Sequence, residues 1–232
     1  MAFTPLILAG GKSTRMRSPK HLLPMPDGRP LYKHQIDVLS RACPKLAAIY
    51  ISLAQDSLLD NFLCECAEAQ PNDEGKTLEH ESGGPDIKVI FDLDSNESEE
   101  SAGPASGLLA AFAAQPDNTW LVVPCDSPFL NTELLQRLRE EYTPPVTCYR
   151  NNKGFCEPLM GIWSPDALAR LAEMAEGGRV GPSSVVRELG GKQLELPAEA
   201  ETPLADVNTK EEWEAALMLL NSSGGTVSGG YI

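Results

Sequence analysis

The densest chemistry in the sequence lies near its start, in Leu8-Ala9-Gly10-Gly11-Lys12-Ser13-Thr14-Arg15-Met16-Arg17-Ser18-Pro19-Lys20, where four cations stand together without an acid. Paired glycines after a buried strand let a backbone pass close to a ligand and aim its N–H groups at phosphate oxygens. Lys12, Arg15 and Lys20 add point charges to that cradle. The plain alternative is a tight Gly-Gly turn followed by solvated cations. Two familiar phosphate loops do not fit. A P-loop, GxxxxGK[ST], placed on Gly11-Lys12-Ser13 would need glycine where Leu6 stands, and no GxGxxG occurs. The segment therefore predicts a third type of nucleotide loop.

Two further groups of residues complete this chemistry. Asp126 ends the apolar run WLVVP, and a carboxylate leaving a strand there is a hard oxygen donor suited to Mg²⁺ carrying a triphosphate. A strand-ending Asp is also an ordinary turn-former. Asp92 ends the run IKVIF in the same manner, and Gly103-Pro104-Ala105-Ser106-Gly107 then opens a helix whose N–H groups face the same crevice. Near the C-terminus stands Asp206-Val207-Asn208-Thr209. Side chains two apart on extended chain project the same way, so Asp206 and Asn208 can approach one metal together, while Asn208 or Thr209 can cap the helix that follows. Glu157-Pro158 and the stretch from Gly177 to Pro182 are weaker prospects for an acceptor side. The three histidines, 21, 34 and 80, lack zinc-ligand spacing, and no GxSxG elbow is present. Without an evident nucleophile, direct displacement organised by metal and cations is the economical mechanism.

These residues need a parallel sheet to bring them to one edge. Short apolar runs alternate with amphipathic stretches, the βαβα rhythm of an α/β fold. Strands are expected at Phe3 to Leu8, Ala47 to Leu53, Ile87 to Phe91, Trp120 to Val123, Val146 to Tyr149 and Pro158 to Ile162. Helices are expected from Pro30 to about Ala42, Ser57 to Ala69, Ala105 to Ala114, Thr132 to Tyr142, Pro165 to Ala175, Ser183 to Leu189 and Lys210 to Leu220. Gln70 to Asp86 reads as a polar surface insertion. Asp92 to Ser101, with five carboxylates, reads as a solvated loop that could act as a lid. One domain over residues 1–220 is expected, followed by a flexible Gly/Ser-rich tail over 221–232.

Composition narrows the ligand. The 232 residues carry 19 Lys and Arg against 33 Asp and Glu, a net charge of −14. Such a field repels phosphate backbones and anionic lipid, which argues against nucleic acid and membrane as partners; an anionic ligand must be captured locally. Cys43, Cys64, Cys66, Cys125, Cys148 and Cys156 form no CxxC pair and are too sparse for a disulfide framework, which points to a reduced, cytoplasmic setting. No apolar run reaches the roughly 20 residues that cross a bilayer.

LAGGKSTRMRSPKHLLP resembles the nucleotide-binding signature LAGGxSxRMGxxKxLLP of the MobA-like NTP transferases, and VPCDSPFL resembles that family's metal-binding segment. VIFDLD followed by GPASGLLAAF, and DVNTKEEW, are similar to its later motifs in the same order. The resemblance implies a Rossmann-like three-layer α/β/α sandwich with a mostly parallel sheet. It also implies NMP transfer from NTP·Mg²⁺, with GTP or CTP favoured, to a phosphorylated acceptor such as molybdopterin, releasing pyrophosphate. By position Leu8, Ala9, Gly10 and Gly11, with Lys12 and Ser13, would cradle the nucleotide. Lys20 and Arg15 would contact its phosphates, and Asp92 would also contact the nucleotide. Asp126 would hold Mg²⁺ with help from Asp206 and Asn208. Arg17 stands where the pattern has glycine. Other readings are a sugar- or polyol-phosphate nucleotidyltransferase and a catalytically silent nucleotide-binding module.

Overall fold

The computed structural model describes residues 2–10, 19–54, 76–78, 84–92, 105–178, 181–196 and 207–223, and the structural statements that follow concern these. Eight strands form one sheet: β1 (Thr4–Leu8), β2 (Ala48–Leu53), β3 (Lys76–Leu78), β4 (Asp86–Phe91), β5 (Trp120–Pro124), β6 (Val146–Arg150), β7 (Cys156–Trp163) and β8 (Lys192–Glu195), in the spatial order β3-β4-β2-β1-β5-β7-β6-β8. The run β4-β2-β1-β5 is parallel throughout, and β8 is parallel to β6. β3 and β7 run antiparallel to their neighbours.

Alternation along each central strand divides the core in two. Ile7, Ile51, Val89, Leu121 and Val123 face a layer containing α1 (Leu31–Ala42) and α3 (Thr132–Glu140). Leu6, Tyr50, Ile90, Trp120 and Val122 face the opposite layer, made by α2 (Ala105–Ala114), α4 (Pro165–Glu176) and α5 (Pro182–Glu188). This is the expected three-layer α/β/α sandwich. The helices start where cap chemistry predicts: Asn131 accepts from the Leu134 N–H at 3.0 Å, and Ser164, just before Pro165, accepts from Ala167 N–H at 3.2 Å.

A third, smaller cluster matters most for function. Leu23, Met25 and Leu31, from the segment before and into α1, pack with Trp213 and Ala216 of the last helix, α6 (Lys210–Ser223), and with Val207, three residues ahead of it. This seam carries the end of the chain back to the segment that follows β1. α6 runs through Ser223, three residues beyond the expected end, so part of the expected tail is helical. The polar insertion at Gln70 to Asp86 contains the edge strand β3, which the lack of an apolar alternation concealed. The expected helix at Ser57 to Ala69 and, beyond Asp92, the acidic loop lie outside the described residues. Among the described residues, no helix is long and apolar enough to cross a membrane.

Candidate functional site

The chain leaves β1 toward β2 on one side, while β5 lies on the other side of β1 and is reached only after α2. That reversal makes the crevice between the C-terminal ends of β1 and β5 the switch point, where open α/β sheets bind ligands. Gly10, Asp92 and Asp126 all leave strands at this edge, because β1, β2, β4 and β5 are parallel.

Lys20 is delivered to the crevice by a short 3₁₀ turn, Lys20–Leu22, after Pro19. The turn is tied by Leu22 N–H to Pro19 O and Leu23 N–H to Lys20 O, both at 3.1 Å. Its neighbours anchor it: His21 is buried, Leu22 packs against the α1/α3 layer and Leu23 enters the seam with α6. Burial pushes the His21 imidazole down to about 4, so it is neutral near pH 7 and adds no charge beside Lys20. The Lys20 ammonium donates to Asp126 Oδ2 and to Asn208 Oδ1, each at 2.9 Å. Residues 106 and 188 positions away in the chain thus meet at one nitrogen.

Asp126 is held from two directions. Cys125 N–H bonds Leu8 O at 2.9 Å, continuing the β1–β5 ladder, and the Asp126 carbonyl accepts from Val207 N–H at 3.1 Å. The buried Gln35 of α1 reaches the same turn, donating through Nε2 to Pro124 O at 2.8 Å. At the start of α6 the two open capping roles are resolved. Thr209 Oγ1 accepts from Glu212 N–H at 3.2 Å, and Glu212 Oε2 accepts from the N–H groups of Asn208 and Thr209 at 2.7 and 3.0 Å. This reciprocal capping box leaves the Asn208 side chain for Lys20 rather than for the helix.

Asp92 occupies a socket of its own. Its N–H bonds Leu53 O at 2.8 Å, and its carboxylate accepts from Ser52 Oγ on one oxygen and from Ser106 Oγ, at 3.1 Å, on the other. The carboxylate lies directly on Gly10: a Cβ there would stand 1.8 Å from Asp92 Oδ2. Glycine at 107 serves α2 in the same way, since a Cβ would come within 2.6 Å of Leu8 Cδ2 and 2.7 Å of Ser52 Oγ.

Of the residues singled out from the sequence, Leu8, Ala9, Gly10, Lys20, Asp92, Asp126 and Asn208 therefore share one sheet edge. Gly11, Lys12, Ser13, Arg15, Arg17 and Asp206 lie outside the described residues. The side-chain roles of Ser52, Gln35 and Ser106, the last expected only within a segment that opens a helix, come from the structure. Their signal is a polar residue inside an apolar stretch, as in AIYISL, yet all three are buried. Among the described residues, burial pushes the Cys148 thiol up to about 12 and raises that of Cys43, which disfavours both as thiolate nucleophiles.

A match to the MobA-like NTP transferase domain extends over residues 5–194. The chain belongs to the MobA-like NTP transferase family. It is 28% identical over 218 residues to the molybdenum cofactor guanylyltransferase of Cupriavidus metallidurans, a match covering 90% of this chain and 91% of that relative. It is 27% identical over 212 residues to the molybdenum cofactor biosynthesis bifunctional protein of Synechocystis sp., covering 90% of this chain and 52% of that protein. The chain thus spans about half the length of the bifunctional relative. Its fold is that of the solved molybdopterin-guanine dinucleotide biosynthesis protein A from Archaeoglobus fulgidus, with TM-score 0.67 at 15% identity over 95% of this chain and 100% of that one.

The donor chemistry of this MobA-like site can be read from Lys20. One carboxylate oxygen and one amide oxygen converge on a single positive charge, a pair of hard donors that suits Mg²⁺. Among the described residues, no group of three His, Cys, Asp or Glu could hold a metal unaided. An ion on Asp126 and Asn208 would need phosphate oxygens and water to complete its shell, as Mg²⁺ at nucleotide sites usually does.

Proposed function

We propose that this chain is a nucleotidyltransferase that moves GMP from GTP to the phosphate of molybdopterin, releasing pyrophosphate. The carrying observation is the convergence of Asp126 Oδ2 and Asn208 Oδ1 on the Lys20 ammonium, at the switch point of a MobA-like fold. The acceptor follows from the named activities of the relatives, and the chemistry from the site.

In this reading Gly10 and its neighbours receive the nucleotide at the end of β1, with Asp92 on its nucleoside. Lys20 exchanges its contacts with Asp126 and Asn208 for phosphate oxygens. The acceptor phosphate oxygen attacks the α-phosphorus in line, the bond to the bridging oxygen of pyrophosphate breaks, and Lys20 takes up charge on that leaving group. Asp126 and Asn208, with Asp206 outside the described residues, would hold Mg²⁺, which supplies charge neutralisation on the triphosphate. Positioning accounts for much of the remaining acceleration, since no covalent intermediate is needed.

The test is pyrophosphate release from GTP, CTP, ATP and UTP with Mg²⁺ and molybdopterin. Release is expected with GTP only when the acceptor is present, falling by at least about a hundredfold in Lys20→Ala and Asp126→Ala. Tight nucleotide binding without release from any pair would leave a silent nucleotide-binding module. Full activity in Asp126→Ala would remove the metal assignment.

A further inference from the structure

Asp92 is held by the hydroxyls of Ser52 and Ser106. Ser52 is fully buried at the end of β2 and Ser106 is buried in the first turn of α2, so they approach the carboxylate from different elements, Ser52 on Oδ1 and Ser106 on Oδ2. Two such bonds fix both the position and the plane of a carboxylate. The backbone is shaped around them. Gly10 admits the carboxylate onto β1, and Gly107 admits α2 onto Leu8 and Ser52. Buried hydroxyls in apolar surroundings are costly unless bonded, so a pair spent on one acidic group at a ligand-binding edge is a positioning device.

We propose that Ser52 and Ser106 are positioning residues that hold Asp92 as a hydrogen-bond acceptor for the nucleoside and thereby set nucleotide affinity and choice. A carboxylate so held selects ligands that present donors. Guanine offers adjacent N1–H and 2-amino groups, whereas adenine places an acceptor, N1, on the corresponding edge; ribose hydroxyls are the other donors available. The inference rests on the reading above that Asp92 meets the nucleotide.

The experiment measures Kd by calorimetry and KM and kcat by pyrophosphate release for GTP, 2′-deoxy-GTP and ATP. It compares wild type, Ser52→Ala, Ser106→Ala, Asp92→Ala and the double variants, with circular dichroism to verify folding. Each serine variant is expected to weaken GTP by roughly tenfold in Kd and KM, as loss of one hydrogen bond to a charged group does, with kcat changed less than about twofold. In the Asp92→Ala background the serine changes should add nothing. Narrowing of GTP against ATP assigns the donors to the base; narrowing of GTP against 2′-deoxy-GTP assigns them to the ribose. Either confirms the proposal. If Asp92→Ala weakens GTP but the serine variants do not, or if they weaken it equally without Asp92, the positioning role is overturned. If Asp92→Ala itself leaves GTP binding intact, the nucleotide reading of Asp92 falls and the proposal with it.

Discussion

Removing the Lys20 charge should strengthen metal binding while slowing turnover by at least about a hundredfold. The ammonium sits 2.9 Å from both Asp126 Oδ2 and Asn208 Oδ1, and the Lys20 and Asp126 side chains retain only 15% and 21% of their exposure. At an effective dielectric near 20, a charge pair at that distance is worth about 6 kcal/mol before desolvation is subtracted. Hydrogen bonds to charged groups leave about 1.5–3 kcal/mol net. A divalent ion seeking the same two oxygens must overcome that amount and the repulsion of the ammonium. Lys20→Met keeps the stem and deletes the charge, so nucleotide-free protein should bind Mn²⁺, a paramagnetic substitute for Mg²⁺, roughly ten- to a hundredfold more tightly. Titration followed by electron paramagnetic resonance measures free Mn²⁺ directly. Asp126→Asn should lose the site in either background, and Lys20→Met should still release pyrophosphate at least about a hundredfold more slowly. Equal or weaker Mn²⁺ binding in Lys20→Met would refute the idea that lysine and metal share these oxygens.

Three further outcomes follow from the same geometry. Gly10→Ala puts a Cβ where the Asp92 carboxylate stands, so GTP affinity should drop by at least about tenfold in calorimetry, with little change in melting temperature if Asp92 simply turns away. Thr209→Ala should cost about 1 kcal/mol in denaturant unfolding and spare most activity, because Thr209 caps α6; Asn208→Ala should show the reverse, since its side chain serves Lys20. His21 ionises far less readily when folded, with its pKa lowered from 6.5 to about 4, so the unfolded chain binds the extra proton first. Stability is therefore complete above about pH 6.5 and falls as the pH drops toward 4, by up to about 3 kcal/mol from this residue. His21→Phe should flatten that part of a melting-temperature profile between pH 7 and 4.5.

How much of this was legible in sequence depended on the range of the interaction. Apolar runs such as WLVV and the amphipathic pattern of Leu31 to Ala42 are local, so the central strands and helices could be read directly. β3 and β8 were missed because short edge strands have little burial to pattern; their existence depends on a neighbour, β4 for one and β6 for the other. The end of α6 was misplaced because Asn221 to Ser223 have weak helix propensity and continue a helix already nucleated by its capping box and docked through Trp213.

The sequence by itself determined the chemistry available: a glycine loop, a lysine, strand-ending aspartates at 92 and 126, and an asparagine at 208, in the order of the MobA-like motifs. The alternation of apolar runs and amphipathic stretches also predicted a parallel sheet, in which Gly10, Asp92 and Asp126 leave strands on one edge, as the strand pairing has it. Only the tertiary structure decided which of them touch. Nothing local predicts that Asn208 serves Lys20 while Thr209 caps the helix, because the choice depends on a seam of Leu23, Met25, Val207 and Trp213 closing across the chain. Nor could sequence show that Ser52 and Ser106 reach one carboxylate over Gly10. A side chain's type is written in the sequence, but its partner is fixed by packing between elements far apart along the chain.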